Sequence, residues 1–321
     1  GVKKGDRILL WAPNSPWWAV VYCGCVVRGI IVVPVDFASG RERAESIARL
    51  TDARIIFQSL YKADLIDSPN AVLIEDTEHI IAGKHTCRID SGISEHDIVE
   101  LVYTSGTTGD PKGVILTHKN LTTNLEQIHN HIPIDERYNL LSLLPLSHML
   151  EQTAGFLTPL SRGASIVYMR TLKPSAIMEA FAEENIYASV IVPRLLQALK
   201  TGVERELSAK HLSPIFRVFS RASKKWSIQS RAKLFYPIRK KFGKHFQFFV
   251  SGGSALDVPT AQFWNGIGIP VYEGYGLTEC GPVLTANPPE KEKIGSVGVP
   301  LRGVILRFNS KEIIAKGNNI F

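Results

Sequence analysis

The chain has 321 residues, 45% of them hydrophobic, which is enough for two or more packed units with an ordinary globular core. Its formal charge is +7, but ten Lys and Arg fall within 217–244, where there is no Asp or Glu. The rest of the chain has 27 basic and 30 acidic residues, which excludes a uniformly basic surface.

Strand-length apolar runs alternate with helix-length amphipathic stretches from the start of the chain. We predict strands at 7–12, 30–35 and 53–58, with helices at 16–28 and 41–50 between them. The longest apolar stretch, 17–35, is interrupted by Arg28, Gly29 and Pro34. It is therefore too broken for a membrane span of about 20 residues.

A segment rich in threonine and glycine follows the next predicted strand, at 98–103, and precedes a helix predicted from 117. Its glycines allow sharp turns, and Lys112 adds a positive charge among hydroxyl groups that can donate to phosphate oxygens. The lysine spacing is not that of a Walker A loop. The composition and the strand-to-helix position still predict phosphate binding, whereas a solvated Ser/Thr/Gly linker is the alternative. The residues concerned are Thr104, Ser105, Gly106, Thr107, Thr108, Gly109 and Lys112.

Further strands are predicted at 140–144, 165–169, 188–192, 247–250 and 270–272. Strands that alternate with helices indicate parallel sheets covered by helices. Because the strands fall into groups before and after the Thr/Gly loop, two sheets are favoured over one very wide sheet. The predicted fold class is α/β, with two packed, doubly wound, mainly parallel sheets, helices on both faces, and the start of a small β-rich subdomain. We predict two α/β subdomains in 1–292 and the β-rich unit in 293–321.

Two polar segments follow predicted strands in the second half of the chain. The first, 251–256, reads Ser-Gly-Gly-Ser-Ala-Leu and lies at a strand's carboxyl end, where open sheets bind ligands. The second, 272–279, reads Tyr-Glu-Gly-Tyr-Gly-Leu-Thr-Glu. Tyr275 offers an aromatic face for a base, Thr278 can donate to phosphate, and Glu279 is an oxygen ligand that suits Mg²⁺. Taken alone, a Thr-Glu pair would indicate a helix N-terminus.

The Thr/Gly loop and the segment 272–279 resemble, in the same order, two hallmarks of the adenylate-forming (AMP-binding) superfamily. This superfamily contains acyl-CoA synthetases, luciferases and peptide-synthetase adenylation domains. The resemblance covers essentially the whole chain, as an incomplete N-terminal domain. A long insertion before Ser251 and the sequence His148-Met-Leu-Glu151 resemble the long-chain fatty acyl-CoA synthetases most.

The resemblance implies ATP-dependent activation of a carboxylic acid, a long-chain fatty acid, to an acyl-adenylate, followed by transfer to CoA. ATP and Mg²⁺ are the implied cofactors, and CoA is the co-substrate. The implied catalytic residues are Lys112, His148, Thr278 and Glu279, with His148 beside the acyl carboxylate. Thr104 and Glu279 are the implied metal ligands. The implied ATP-binding residues are 104–109, Lys112, Gly253, Ser254, Ala255, Glu273, Gly274, Tyr275, Gly276 and Thr278.

The basic segment 217–244 also contains aromatic residues, so we predict peripheral contact with an anionic membrane. A solvated helix face over a packed apolar one is the alternative, and no nucleic-acid partner is expected. The four cysteines lack metal-ligand spacing, which favours free thiols and a cytoplasmic protein. Cys280 is predicted to be a packed thiol, and His129 and His131 are predicted to be surface residues.

Three other interpretations remain open. The acceptor could be a carrier-protein thiol instead of CoA, the domain could be a non-catalytic relic that binds nucleotide or acyl groups, or the chain could be only a basic binding module. We also expect this chain to be a fragment, because the family's ribose-binding aspartate, hinge and C-terminal catalytic lysine do not appear in it. Thr108-Gly-Asp110 belongs to the phosphate loop and is not that aspartate. The isolated chain is therefore predicted to be inactive.

Overall fold

The computed structural model describes residues 1–83, 92–104, 112–132, 134–169, 171–310 and 312–321. The strands are β1 (Arg7–Trp11), β2 (Ile31–Pro34), β3 (Ile55–Gln58), β4 (Ala71–Leu73), β5 (Ile98–Thr104), β6 (Lys112–Thr117), β7 (Asn139–Ser142), β8 (Ser165–Tyr168), β9 (Ala188–Ile191), β10 (Phe248–Ser251), β11 (Val271–Tyr275), β12 (Thr285–Ala286), β13 (Val299–Pro300), β14 (Ile305–Asn309) and β15 (Glu312–Lys316). The α-helices are α1 (Pro16–Val26), α2 (Arg41–Leu50), α3 (Thr77–Ile81), α4 (His118–His131), α5 (Thr158–Ser161), α6 (Pro174–Glu183), α7 (Pro193–Ala209), α8 (Ser213–Ala222), α9 (Ile228–Leu234), α10 (Tyr236–Arg239) and α11 (Val258–Gly266). A π-helical segment, Glu151–Leu157, precedes α5.

The first sheet has the strand order β4-β3-β1-β2-β5-β6, and its strands are parallel except for the antiparallel pair β5–β6. Alternate residues of β1 point to opposite faces. Ile8 and Leu10 pack against α1, whereas Leu9 and Trp11 pack against α2. Burial on both faces explains why β1 reads as a continuous apolar run.

The second sheet has the order β13-β12-β11-β10-β9-β7-β8. Strands β7 to β11 are parallel, and β12 and β13 extend the sheet in antiparallel pairing. Strands β14 and β15 form a separate antiparallel pair. Within the described ranges, two mainly parallel sheets and a small antiparallel one confirm the predicted fold class.

The part of the chain that forms the first sheet and the part that forms the second sheet share one apolar cluster. Trp18 and Tyr22 of α1 contact Phe156 of the π-helical segment, with ring centroids 5.9 and 5.8 Å apart. All three side chains are almost fully buried. Burying a side chain of the size of Phe156 contributes roughly 1.5–3 kcal/mol. This packing holds the π-helical segment against the first sheet.

The structure differs from the predicted elements in one respect that matters for the site. The Thr/Gly loop connects β5 to β6, an antiparallel strand that the sequence did not reveal, and α4 begins only after β6. The division between the two sheets therefore falls after β6 and not at the loop. Strands β4, β12 and β13 were also missed, since each has only two or three residues.

The domain boundary at 293 remains a prediction. Strand β13 lies beyond it in sequence, yet Val299 pairs with Ala286 in the second sheet. Only β14 and β15 form the separate two-stranded unit within the described part of the chain.

Candidate functional site

A cavity of about 470 Å³ opens where the parallel strands of the second sheet end. Its wall includes Leu144 after β7, Val192 after β9, Gly253 after β10, and Tyr275 at the end of β11. The carboxyl ends of parallel strands meet at one edge of a sheet, which is where open α/β sheets bind ligands. The topology therefore brings together segments that are far apart in sequence.

Several predicted site residues line this cavity, namely His148, Gly253, Gly274, Tyr275, Gly276 and Thr278. Ser254 and Ala255 are exposed residues next to Gly253 and are not part of the cavity wall. Glu273 and Glu279 also lie outside the wall, at either end of the same segment. The individual roles assigned to these residues stay predictions.

A second cavity, of about 420 Å³, adjoins the first. It is lined by Asp36 and Thr104 from the first sheet, and it shares His148, Met149 and Thr278 with the first cavity. Thr104, at the end of β5 in the first sheet, and Thr278, just after β11 of the second sheet, thus line the same cavity. The site lies where the two sheets meet.

The central part of the predicted phosphate loop, Ser105, Gly106, Thr107, Thr108 and Gly109, lies outside the described residues. The residues that flank it are described. Thr104 and Lys112 are cross-strand neighbours at the ends of β5 and β6, and Lys112 is exposed. The loop therefore leaves β5 at the wall of the second cavity and returns to the sheet beside Thr104, at Lys112.

His148 has a partner that sequence reasoning missed. Its Nε2 atom lies 3.2 Å from Oδ2 of Asp36, which follows β2. The hydrogen bond to His148 lowers the pKa of Asp36, and a hydrogen bond from the Ala38 amide lowers it further, while partial burial opposes them. Asp36 was missed because a single Asp after a strand looks like an ordinary turn residue.

Glu273 is buried and supports the turn at the first cavity. Its Oε1 accepts a hydrogen bond from the backbone N–H of Leu256 at 3.0 Å. Burial raises the pKa of Glu273, and this hydrogen bond partly opposes the change. Gly253 within the turn has a φ of 82°, a conformation that favours glycine. Glu273 therefore shapes the 253–255 backbone.

The glycines of the 272–279 segment are required by internal packing. A Cβ atom on Gly276 would overlap the carbonyl oxygen of Pro282, and one on Gly274 would lie 3.1 Å from the carbonyl oxygen of Thr285. Strand β11 can therefore approach the following segment only with glycine at these positions.

Helix α4 forms another wall of the first cavity. Asn124 exchanges two hydrogen bonds with the backbone of Val283, at 2.8 and 3.1 Å, and His131 Nε2 lies 2.8 Å from the carbonyl oxygen of Ala286. Val283, Ala286 and His131 all line the cavity. The prediction that His131 is a surface residue was therefore wrong, since it ties α4 to the cavity wall.

The predicted metal ligands are oxygen donors of the kind that Mg²⁺ prefers. Neither the Thr104 hydroxyl nor the half-buried Glu279 carboxylate has a hydrogen-bond or ion-pair partner within the described ranges. No group of three or more His, Cys, Asp or Glu there could hold a metal by itself. A hydroxyl and a carboxylate without other partners in the described part of the chain fit a hard cation, which prefers oxygen ligands.

A family model described as AMP-binding enzyme matches residues 1–312. The chain belongs to this family. This confirms the resemblance to adenylate-forming enzymes inferred from the Thr/Gly loop and the 272–279 segment.

Individual relatives are more distant. The chain is 26% identical to the long-chain-fatty-acid–CoA ligase FadD15 of Mycobacterium bovis, matching over all of this chain and 60% of that protein. It is 27% identical to long chain acyl-CoA synthetase 3 of Arabidopsis thaliana, over 97% of this chain and 53% of that one. The chain thus spans little more than half the length of these relatives.

Among solved structures, the inhibitor-bound N-terminal domain of FACL13 from Mycobacterium tuberculosis superimposes with a TM-score of 0.80 at 19% identity. The match covers all of this chain and 78% of that domain. This likeness shows that the fold is that of an adenylate-forming N-terminal domain.

Outside the cavities, Cys280 is buried in an apolar cluster and burial raises the pKa of its thiol, so the predicted packed thiol is confirmed. The described cysteines Cys23, Cys25 and Cys280 form no disulfide. No helix in the described ranges is both long enough and apolar enough to cross a membrane.

Proposed function

We propose that the intact protein activates a carboxylic acid, a long-chain fatty acid, with ATP and transfers the acyl group to CoA. The observation that carries this proposal is the junction of the two cavities. There, Thr104 and Thr278 face a polar space beside His148, and the first cavity continues along an apolar wall. The names of the relatives favour a fatty acid as the substrate.

In the first step, a carboxylate oxygen attacks the α-phosphorus of ATP. A new O–P bond forms, the bond from the α-phosphorus to the bridging oxygen breaks, and pyrophosphate leaves with the electron pair. In the second step, the CoA thiol attacks the acyl carbonyl, loses its proton, and AMP leaves. The products are an acyl-CoA, AMP and pyrophosphate.

Each residue of the site has a place in the first step. Tyr275 stacks on adenine beside the turn that holds Gly253, Ser254 and Ala255, and Thr278 donates a hydrogen bond to an α-phosphate oxygen. Lys112 neutralises part of the charge of the β- and γ-phosphates, and the hydroxyl groups of Thr104, Ser105, Thr107 and Thr108 donate hydrogen bonds to their oxygens, so that pyrophosphate leaves more easily.

Thr104 and Glu279 would hold Mg²⁺, which supplies charge neutralisation at the phosphates when bound. The half-buried position of Glu279 next to Thr278 supports this assignment.

The acid would bind in the first cavity, with its carboxylate toward His148. Val192, Val250 and Leu301 contribute to a wall that is mostly apolar, which suits an alkyl chain. Asp36 holds His148 from the side of the first sheet, so the imidazole is oriented before the acid enters.

The test is acid-dependent exchange of pyrophosphate into ATP by the full-length protein, with acids from acetate to long-chain fatty acids and with amino and aryl acids alongside. We expect exchange with long-chain acids. Thr278→Val should lower the exchange rate by about 100-fold, the usual effect of losing one donor to a developing oxyanion. Thr122→Val, on the exposed face of α4, is the matched control and should keep the wild-type rate.

The outcomes separate the alternatives. Exchange that is followed by loading of a carrier-protein thiol, and not of CoA, would favour the carrier ligase. No exchange with any acid, in a folded protein that binds ATP, would favour the non-catalytic relic.

We also propose that the segment 217–244 contacts an anionic membrane. Helix α8 buries none of its residues, and Val218 and Phe219 are exposed, as is Trp226 after it. Arg217, Lys224, Lys225 and Lys240 are exposed and form no ion pair within the described part of the chain. Exposed apolar side chains among unpaired cations are typical of surfaces that bind anionic lipid.

A further inference from the structure

A buried carboxyl group joins the two halves of the molecule near the site. Glu100 of β5 is fully buried. Its Oε2 accepts hydrogen bonds from Tyr22 Oη of α1 at 3.1 Å and from Gln152 Nε2 of the π-helical segment at 2.7 Å. Oε1 has no partner in the described ranges. The proposed reaction uses none of these three residues.

The π-helical segment is an unusual place for such a group. Residues 151–156 are all buried, although three of them, Glu151, Gln152 and Thr153, are polar. Burying polar side chains costs free energy unless they are hydrogen-bonded, and π-helical turns are rare and concentrate at functional sites. The segment is therefore better explained by what it positions than by its own stability.

Gln152 connects this segment to the cavity. Its backbone N–H donates to the carbonyl oxygen of His148 at 3.0 Å, and Ala154, half a turn further on, lines the first cavity. On the other side, β5 continues from Glu100 to Thr104 in the wall of the second cavity. One hydrogen bond thus joins the cavity wall to the strand that enters the phosphate loop.

Glu100 is mostly protonated at neutral pH. Burial raises its pKa to about 8, although the hydrogen bonds from Gln152 and Tyr22 oppose this. The titratable groups nearby are Tyr22 and Cys23 on α1 and Glu151 on the π-helical segment, whose pKa burial also raises to about 8. None of these groups is a cation, so no positive charge among them stabilises an ionised Glu100.

We propose that Glu100 and Gln152 are positioning residues, whose hydrogen bond fixes the π-helical wall of the acid-binding cavity against β5. This inference rests on the proposed function, because it takes the first cavity as the acid site. It adds that the shape of the acid site depends on a contact buried behind its wall.

The test compares Glu100→Leu and Gln152→Leu, which remove the hydrogen bond, with Glu100→Gln, which keeps a neutral acceptor. Gln58→Leu is the matched control, because Gln58 is a buried glutamine that hydrogen-bonds to the Ile66 backbone. Binding of a fluorescent polyene fatty acid to the full-length protein is measured by titration. The KM values for acid and ATP are measured by pyrophosphate exchange.

Glu100→Leu and Gln152→Leu should weaken binding of the fluorescent acid by about tenfold, the effect of losing one buried hydrogen bond. The KM for ATP should stay within about twofold, since the nucleotide contacts remain. At pH 7, Glu100→Gln should bind like the wild type. Gln58→Leu should lose stability without losing affinity for the acid.

The pH dependence of unfolding provides a second readout. Between the ordinary value of 4.5 and about 8, the unfolded chain ionises Glu100 while the folded chain keeps its proton. Stability should therefore fall as pH rises through this range, and the fall should be smaller in Glu100→Gln. Glu151→Gln measures the share that the neighbouring carboxyl contributes.

Unchanged acid binding in folded Glu100→Leu, an equal loss in Gln58→Leu, or no binding of the fluorescent acid by the wild type would overturn the proposal. If the binding pattern holds while the wild type shows no exchange, the failure is that of the proposed catalysis and the positioning role stands.

Discussion

Gly276 shows how a single residue can be required for reasons that have nothing to do with a ligand. In the sequence it looks like a place where backbone approaches a nucleotide. In the structure it lines the first cavity, but the atom that excludes a side chain is the carbonyl oxygen of Pro282. The same glycine can allow a nucleotide to approach and can also make room for the Pro282 carbonyl, and the packing shows only the second of these.

We expect Gly276→Ala to destabilise the protein by about 3 kcal/mol, because backbone atoms cannot move aside as a flexible side chain can. Chemical unfolding monitored by tryptophan fluorescence would measure this. Gly202→Ala, in the middle of α7 with open space around its Cα, is the control and should stabilise by about 0.5–1 kcal/mol. If both variants were equally stable, the result would contradict the statement that the Pro282 carbonyl leaves no room for a side chain at position 276.

At the scale of elements, one face of α4 holds the wall of the site. Asn120, Asn124, Gln127 and His131 follow one another at helical spacing, and each contacts a backbone carbonyl between 283 and 320. All four are polar residues, and their pattern in the sequence does not show which backbone groups they bond to. Together their side chains hold the backbone of residues 283–320 against α4.

Asn124→Leu should lower stability by about 1–3 kcal/mol, because the N–H of Val283 would lose its acceptor and its C=O would keep only the longer hydrogen bond from Asn319. It should also speed hydrogen exchange at Val283, measured by mass spectrometry of the peptide that contains it. Asn130→Leu places the same substitution on the exposed side of α4 and should change neither quantity. Equal effects in the two variants would contradict the role of Asn124 in holding Val283 against α4.

At the scale of the whole molecule, the excess of basic residues is concentrated in the segment 217–244. Within 217–244, Arg239 donates to the carbonyl oxygens of Gly268 and Phe246, and Lys241 pairs with Glu206. These cations serve the fold. Arg217, Lys224, Lys225 and Lys240 are among the exposed cations of this segment that form no ion pair in the described part of the chain, and they remain for a partner.

Reversing these four charges to Glu should reduce co-sedimentation of the protein with vesicles that contain phosphatidylserine. Each basic residue near an anionic surface contributes roughly 1 kcal/mol of attraction. The control reverses Lys3, Lys173, Lys293 and Lys316, which are exposed elsewhere on the molecule. Equal sedimentation of both variants, or none in the wild type, would contradict the proposed membrane contact.

The sequence revealed most strands of the two sheets and the order of the motifs, because both are local patterns. Buried parallel strands read as apolar runs, and the glycines and hydroxyl residues of a phosphate loop are close together in the chain. It did not reveal β6, an edge strand that buries only alternate residues, or β12, which has only two residues. It also missed Asp36, since its partner His148 lies 112 positions further along the chain.

What the sequence determined by itself was the family, the fold class and the set of motif residues from which a nucleotide site is assembled. Only the tertiary structure decided which of those residues face the cavity, that His131 and Asp36 belong to the site, and that Glu100 is buried behind its wall. The physical reason is that burial, hydrogen bonding and protonation depend on partners brought close by folding. A one-dimensional pattern records which groups are present but not which of them meet.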